Sequence, residues 1–277
     1  MKRAGVVGWP IEHSRSPLIH GHWLKEYGIA GSYTKIAVAP EEAADFFASL
    51  AQRGLAGCNV TVPLKEIAFA AAEVKDPSAV AVGAANTLWL DGGRLHAANT
   101  DSFGFMRHLE LSAPQWREGG DQVAILGAGG AARAIVHGFL EAGVAEVRVL
   151  NRTRARAEAL AAHFGPRVTV HDWAARDNAS AGAAVLVNTT TIGMKGVGSL
   201  GMDLSRLGPR AVVADIVYVP LETELLARAR ARGLTAVDGL GMLLHQAVPG
   251  FERWFGVRPE VTPELRDIIV ADIEGRA

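Results

Sequence analysis

Short apolar runs punctuated by glycine and polar clusters organise the second half of this chain. Runs over 123–126, 147–150, 168–170, 184–188 and 211–214 have the length and β-branched content of buried strands. Helix-like stretches lie over 131–141, 154–164 and 223–232. Strand alternating with helix predicts a parallel sheet covered by helices. The first half reads as a second series. A strand over 4–8 is followed by a helix over 18–27 that stops at Gly28, then a strand over 33–38. Pro40 with Glu41 and Glu42 opens a helix ending near Gly54. A buried strand over 59–62 is closed by Pro63. Asp91-Gly92-Gly93 turns a hairpin whose return strand covers 94–98, and a helix over 102–111 follows. Gly119-Gly120-Asp121 is linker-like, so a domain boundary is expected shortly after Asp101. The segment 238–247 leads into a helix, and a last helix spans 263–273.

Composition narrows the class. The 277 residues are 49% hydrophobic and 21% charged, with 28 basic against 29 acidic side chains, ordinary for a globular protein long enough to bury a sizeable core. No basic run marks nucleic acid as a partner. The single cysteine, Cys58, excludes an intramolecular disulfide and suits a reducing compartment. No Cys/His cluster has metal-ligand spacing, and none of the histidines is read as a metal ligand. No apolar run approaches the roughly 18 residues of a membrane span, and the N-terminus leads straight into a strand. A cytoplasmic, soluble protein is expected.

The most informative stretch is 123–134, Val-Ala-Ile-Leu-Gly-Ala-Gly-Gly-Ala-Ala-Arg-Ala. It reads as strand, glycine-rich turn and helix start, with the G-x-G-x-x-A spacing of a dinucleotide fingerprint. Glycine lets the backbone turn sharply and approach a ligand, and the free N–H groups of the helix start suit a pyrophosphate. The alternative is a tight strand-to-helix turn with no ligand. About 20 residues past such glycines, NAD-binding chains place an acidic residue on the ribose hydroxyl. Here the place holds Asn151-Arg152-Thr153-Arg154-Ala155-Arg156. Guanidinium groups suit a phosphate, which points to NADP; the alternative is a solvated basic face.

Three further features carry candidate chemistry. Ser14 and Ser16 flank a helix start at Pro17, where hydroxyls and exposed N–H groups together suit a small carboxylate; for Ser16 alone, helix capping is the simpler reading. Lys65 follows the buried strand at a helix start, a place that disfavours its charge and fits acid–base work. A solvated surface lysine is the alternative. Asp101 after Asn99-Thr100 is either a helix cap or a carboxylate facing Lys65 across strand ends.

Taken together, these segments resemble the shikimate dehydrogenase family over essentially the whole chain. The matching motifs are Ser14-Arg15-Ser16-Pro17 with His20, Asn59-Val60-Thr61-Val62-Pro63 with Lys65, Gly83 to Thr87, Asn99-Thr100-Asp101 with Gly104, Gly127 to Ala132, Asn151-Arg152-Thr153, Tyr218-Val219-Pro220 and Asp238 to Gln246. The resemblance implies reversible reduction of 3-dehydroshikimate to shikimate with NADPH, in aromatic amino-acid biosynthesis. It implies an α/β fold of two domains: a substrate-binding domain with a mostly parallel sheet, residues 1–105 plus 238–277, and a Rossmann-type NADP domain, residues 106–237, with the active site in the cleft between them. By resemblance Lys65 and Asp101 are the catalytic pair. Ser14 and Ser16 hold the substrate carboxylate, with Tyr218 near it, and Thr61, Asn86, Asp101 and Gln246 bind ring hydroxyls. Gly127, Ala128, Gly129, Gly130 and Ala131 take the pyrophosphate. Asn151, Arg152, Thr153 and Arg156 take the 2′-phosphate, and Thr190, Ile216, Gly239 and Met242 complete the cofactor side. The sequence departs from the family pattern at Ala85, Thr191-Ile192 and Val219, and the last two border the cofactor side.

Two other readings stand beside this one. A relative that also oxidises quinate fits the same motifs, because one hydroxyl is a weak discriminator in a polar pocket. A non-catalytic NADP-binding sensor would have no use for Lys65 and Asp101. A monomer or a homodimer is expected, acting on a small molecule without nucleic acid or membrane.

Overall fold

The strands of the first half and those of the second build two separate sheets. In the computed structural model, which describes residues 1–276, the strands are β1 Lys2–Gly8, β2 Gly31–Ala37, β3 Gly57–Val60, β4 Val74–Lys75, β5 Thr87–Asp91, β6 Arg94–Ala98, β7 Gln122–Leu126, β8 Glu146–Leu150, β9 Val168–His171, β10 Val185–Asn188, β11 Val212–Asp215 and β12 Thr235–Val237. The helices are α1 Ser16–Glu26, α2 Ala43–Ala48, α3 Lys65–Ala71, α4 Pro77–Val82, α5 Asp101–Ser112, α6 Gly130–Glu141, α7 Arg154–Phe164, α8 Arg176–Ala179, α9 Glu224–Ala231, α10 Leu240–Phe255 and α11 Pro263–Ile273. Residues sort into two compact units. One holds Met1–Asp101 and the chain from Leu244 onward; the other holds Ser102–Leu243. The divisions fall at 101/102 and 243/244, where the sequence expectation set 105/106 and 237/238.

The first unit carries the strand order β2-β1-β3-β5-β6-β4. β1 runs parallel to β2 and β3, β5 is antiparallel to β3 and β6, and β4 is parallel to β6. A core of Val7, Phe46, Phe47, Leu50, Val60, Leu64, Leu88 and Leu95 lies on one face. On the other, Trp23 and Trp254 are fully buried beside Phe251, Tyr33 and His20. The end of the chain is tied to this sheet by Trp254, whose Nε1 donates to the carbonyl of Leu88 at 2.9 Å. The indole fits because Gly57 has no side chain: a Cβ there would lie 2.1 Å from Trp254 Nε1.

The second unit carries an all-parallel sheet ordered β12-β11-β10-β7-β8-β9. After β9 the order reverses to the far side of β7, so β7 and β10 flank the switch point where open α/β sheets bind ligands. β10 and β11 are buried along their whole length and β7 from Val123 on, which explains their unbroken apolar runs.

Several elements differ from the sequence expectation. The helix expected from Pro40 to Gly54 is a 3₁₀ turn, Pro40–Glu42, followed by the short α2. Ser49 Oγ donates to the Asp45 carbonyl at 2.7 Å, an alternative to helix propagation, and Gly54 turns the chain at φ +70°. β3 stops at Val60, because Thr61 and Val62 already belong to the turn into α3. The sequence pattern missed β4, α4, α8 and β12; α8 has four residues and β12 three, too few to show a period.

Candidate active site

Antiparallel register assembles the polar centre of the first unit. β5 and β6 pair Thr87 with Ala98, and β3 pairs Asn59 with Thr87. Residues just before β5 and just after β6 therefore meet beside the end of β3. Asn59, Asn86, Thr87, Asn99, Thr100 and Asp101 are all buried there. Lys65 opens α3 and reaches this cluster: its Nζ donates to Asp101 Oδ2 at 2.6 Å. Asn86 Nδ2 donates to the other carboxylate oxygen at 2.8 Å and to Gln246 Oε1 at 3.4 Å. The Asp101 side chain is 10% exposed and that of Lys65 28%, so the ammonium is the accessible half of the ion pair. A carboxylate with one donor on each oxygen, one of them an ammonium reachable from outside, can orient a ligand hydroxyl and move a proton at it. Asp101 is the first residue of α5, and of the two sequence readings the structure gives the one facing Lys65.

The serine turn differs from its sequence reading. Ser16 lies within α1 and does not cap it; the cap position is Arg15, without a side-chain cap bond. The capping contact is made one step earlier, by Ser14 Oγ accepting from the Ser16 N–H at 3.4 Å. The Arg15 side chain pairs with Asp272 on α11 at 2.7 Å. The Ser16 hydroxyl instead lies by Tyr33, whose hydroxyl donates to Asn59 Oδ1 at 2.6 Å. Burial drives the Tyr33 phenol well above its ordinary value, Cys58 acts the same way, and Ser16 opposes. His20 stacks on Tyr33 at 3.9 Å, and burial pushes it down to about 3, against a small opposing effect of Asn59. It is neutral at any working pH. Thr61 packs over Gly8, where a Cβ would sit 2.5 Å from Thr61 Cγ2.

The second unit gathers its own set at the strand ends. Gly127 leaves β7 at φ +115°, and a Cβ there would lie 2.4 Å from Thr189 Oγ1; only glycine allows this turn. Gly129 and Gly130 face open space, and α6 starts at Gly130 with neither a side-chain cap nor an acidic residue in its first turn. Its N–H groups suit an anion. Ala128, Ile216 and Met242 pack around one apolar core beneath this turn. A Cβ at Gly239 would meet the Ile216 carbonyl at 2.2 Å, so the backbones of these two candidates touch.

The basic run sorts itself. Arg154 is engaged by Glu158 at 2.8 Å and Asp172 at 2.5 Å. Arg152 and Arg156 are exposed and have no ion-pair partner among the described residues. Asn151 Nδ2 closes the turn onto the Thr153 carbonyl at 2.7 Å.

The remaining features are a polar knot at the ends of β10 and β11. Asn188 Oδ1 accepts from the Thr190 N–H and hydroxyl at 3.0 and 2.7 Å. Asn188 Nδ2 donates to Asp215 Oδ1 at 2.9 Å. Asp215 also accepts from the Val217 N–H at 3.0 Å and the Thr223 hydroxyl at 2.8 Å. Burial pushes the Asp215 carboxyl up to about 6, against these hydrogen bonds. The knot fixes the segments bearing Thr190, Ile216 and Tyr218.

Comparison with known proteins bears on all of this. Residues 6–88 match the family model described as the shikimate dehydrogenase substrate binding domain, 113–192 that of shikimate / quinate 5-dehydrogenase, and 239–263 that of the shikimate 5'-dehydrogenase C-terminal domain. Shikimate dehydrogenase (NADP(+)) of Azorhizobium caulinodans is 58% identical over 100% of this chain and 98% of its own length. The chain belongs to the shikimate dehydrogenase family. The Brucella canis enzyme of the same name is 56% identical over 98% of the chain and 95% of its own length. Among solved structures, Thermus thermophilus shikimate 5-dehydrogenase in complex with NADP(H) and shikimate matches at TM-score 0.84 and 33% identity, covering 99% of this chain and 100% of that one. Quinate dehydrogenase of Corynebacterium glutamicum in complex with NAD matches at TM-score 0.89 and 30% identity, covering 98% and 99%.

Within the family frame, the structure brings together Lys65, Asp101, Asn86 and Gln246, and separately Ala128, Ile216, Gly239 and Met242. Sequence reasoning passed over Asn59, Thr87, Asn188 and Asp215 as chemistry. The available signal was polarity inside buried strands, as in Gly57-Cys58-Asn59-Val60, where an asparagine with no exposed face needs partners.

Proposed function

We propose that the protein interconverts 3-dehydroshikimate and shikimate with NADPH and NADP, a step toward aromatic amino acids. The observation that carries this reading is the Lys65–Asp101 pair at 2.6 Å with Asn86 on the same carboxylate, in a chain of this family. NADP fits the residues present. The Gly127 turn and the uncapped start of α6 suit its pyrophosphate, and Arg152 and Arg156 suit its 2′-phosphate while Arg154 is engaged elsewhere. When bound, the nicotinamide supplies or takes the hydride. The chain's own part is at oxygen. As the carbonyl is reduced, negative charge builds on its oxygen, and Lys65 gives a proton there or stabilises that charge. Asp101 orients Lys65 and the hydroxyl. Ser14 and Ser16 hold the carboxylate with Tyr218 near it, and Thr61, Asn86 and Gln246 hold the ring hydroxyls. We expect a cytoplasmic enzyme, monomeric or homodimeric; among the described residues no helix is long and apolar enough to cross a membrane.

A broader quinate-oxidising activity is the second reading, favoured by the TM-score of 0.89 to a quinate dehydrogenase bound to NAD. Initial rates with shikimate or quinate, each with NADP or NAD, decide between them. Fast reduction with shikimate and NADP is expected. Comparable rates with quinate or NAD would move the protein to the broader relative. No reduction while NADP still binds would leave the sensor.

A further inference from the structure

Thr100 lies between Asn99 and Asp101, is 5% exposed, and has no role in the reading above. Asn86 Oδ1 accepts from the Thr100 N–H at 2.8 Å and lies 3.0 Å from Thr87 Oγ1 and 3.1 Å from Thr100 Oγ1. Thr87 Oγ1 accepts from Asn59 Nδ2 at 3.2 Å, and the nearer acceptor for its own proton is Asn86 Oδ1, since Thr100 Oγ1 lies at 3.3 Å. A carbonyl-type oxygen has two lone pairs, and the Thr100 N–H and the Thr87 hydroxyl fill them. The Thr100 hydroxyl proton then goes to its nearest acceptor, the Gln246 main-chain carbonyl at 2.8 Å. That carbonyl lies within α10, so the Thr100 hydroxyl anchors this stretch of helix from outside it.

We propose that Thr100 is a positioning residue. Its N–H locks the Asn86 carboxamide with Nδ2 toward Asp101, and its hydroxyl tethers the turn of α10 that carries Gln246 over the same site. The assignment rests on the functional reading of Asn86, Asp101 and Gln246. The Thr100 N–H is kept in valine, serine and alanine variants, so such a side-chain change isolates the tether to Gln246.

The test compares Thr100→Val, of the same shape without the hydroxyl, with Thr100→Ser, which keeps it. Thr100→Val is expected to raise KM for shikimate about tenfold, the worth of one buried hydrogen bond, with kcat reduced less than about threefold and the NADP dissociation constant unchanged. Thr100→Ser restores KM to within about twofold of the parent. Should Thr100→Val fail to fold, Thr100→Ala takes its place with the same expected split. Equal KM in the hydroxyl-free variant and the parent, or an equal defect in Thr100→Ser, overturns the tether. Side-chain amide NMR of the ligand-free protein reads it without turnover: the Gln246 NH₂ signals shift in Thr100→Val and return in Thr100→Ser, while those of Asn86 stay. If the parent fails to oxidise shikimate, the functional reading falls, and the NMR result alone still decides the tether.

Discussion

Asp215 is 1% exposed at the end of β11, and its carboxyl is raised from 3.8 to about 6, first by burial. A proton is therefore held more tightly in the folded chain than in the unfolded one. Between about pH 4 and 6 the unfolded chain has released this proton and the folded chain has not, so stability falls as pH rises through the window and levels off above it. Two pKa units correspond to about 3 kcal/mol. Asp215→Asn removes the titration and keeps the shape. Its Oδ1 still accepts from the Val217 N–H and Asn188 Nδ2, and Thr223 turns its hydroxyl to accept. That rearrangement has a fixed cost, so the quantity to read is the pH dependence of the difference between the two proteins. The parent should lose about 2–3 kcal/mol relative to Asp215→Asn between pH 4 and pH 7.5. Urea titration read by hydrogen exchange of β11 amides assigns the signal to this unit. A difference that is flat with pH refutes the raised carboxyl and with it the view that burial outweighs its three donors.

Lys65→Ala should lower kcat for shikimate oxidation by about a hundredfold or more with a small change in KM, as expected for a lost acid–base group; near-normal turnover removes Lys65 from the chemistry. Arg152→Ala should weaken NADP binding about tenfold or more and NAD binding little, whereas Arg154→Ala, whose side chain is held by Glu158 and Asp172, should leave the ratio unchanged; fluorescence titration with both cofactors checks the pair. Gly57→Ala drives a methyl into Trp254 and the Leu88 carbonyl and should destabilise the first unit by at least about 2 kcal/mol, from overpacking and the lost indole hydrogen bond; hydrogen exchange at β3 and β5 that matches the parent sinks this.

The second sheet was legible in the sequence because β7, β10 and β11 are buried on both faces and read as apolar runs between helices. The glycine turn was legible because a backbone need, φ +115° at Gly127, is written in the residue type. The antiparallel pairing of β5 with β3 was not. A strand pattern gives the period and the turn at Asp91-Gly92-Gly93, but not the neighbour on the other side. That pairing is what brings Asn86 and Thr87 to Asn59, whereas the hairpin brings Asn86 to Asp101. The serine turn was misread for a related reason: Ser-Pro marks a helix start within a residue or two, and whether Ser14 or Ser16 meets the N–H depends on one peptide orientation. The run of arginines pointed to a phosphate but not to which of them is held within the chain; Asp172, eighteen residues past Arg154, engages that one.

Both candidate sites rest on the same physical device. Burying Asn59, Asn86, Thr87, Asn99, Thr100 and Asp101 together would be costly without partners, and each has a directed hydrogen bond: Tyr33 to Asn59, Asn59 to Thr87, Thr87 to Asn86, Asn86 to Asp101, Asn99 to the Ala84 carbonyl, and Thr100 to the Gln246 carbonyl. Because the donors run one way from Tyr33 to Asp101, flipping any amide sets donor against donor, so the arrangement has one low-energy form. Asn188, Asp215 and Thr223 repeat the solution in the other unit with a carboxylate at the centre. In each case strand ends supply the framework and buried amides aim a carboxylate. What differs is the fate of the charge. Asp101 meets the half-accessible Lys65 and can answer to a ligand, whereas Asp215 meets only neutral donors among the described residues and is held for the loop it anchors.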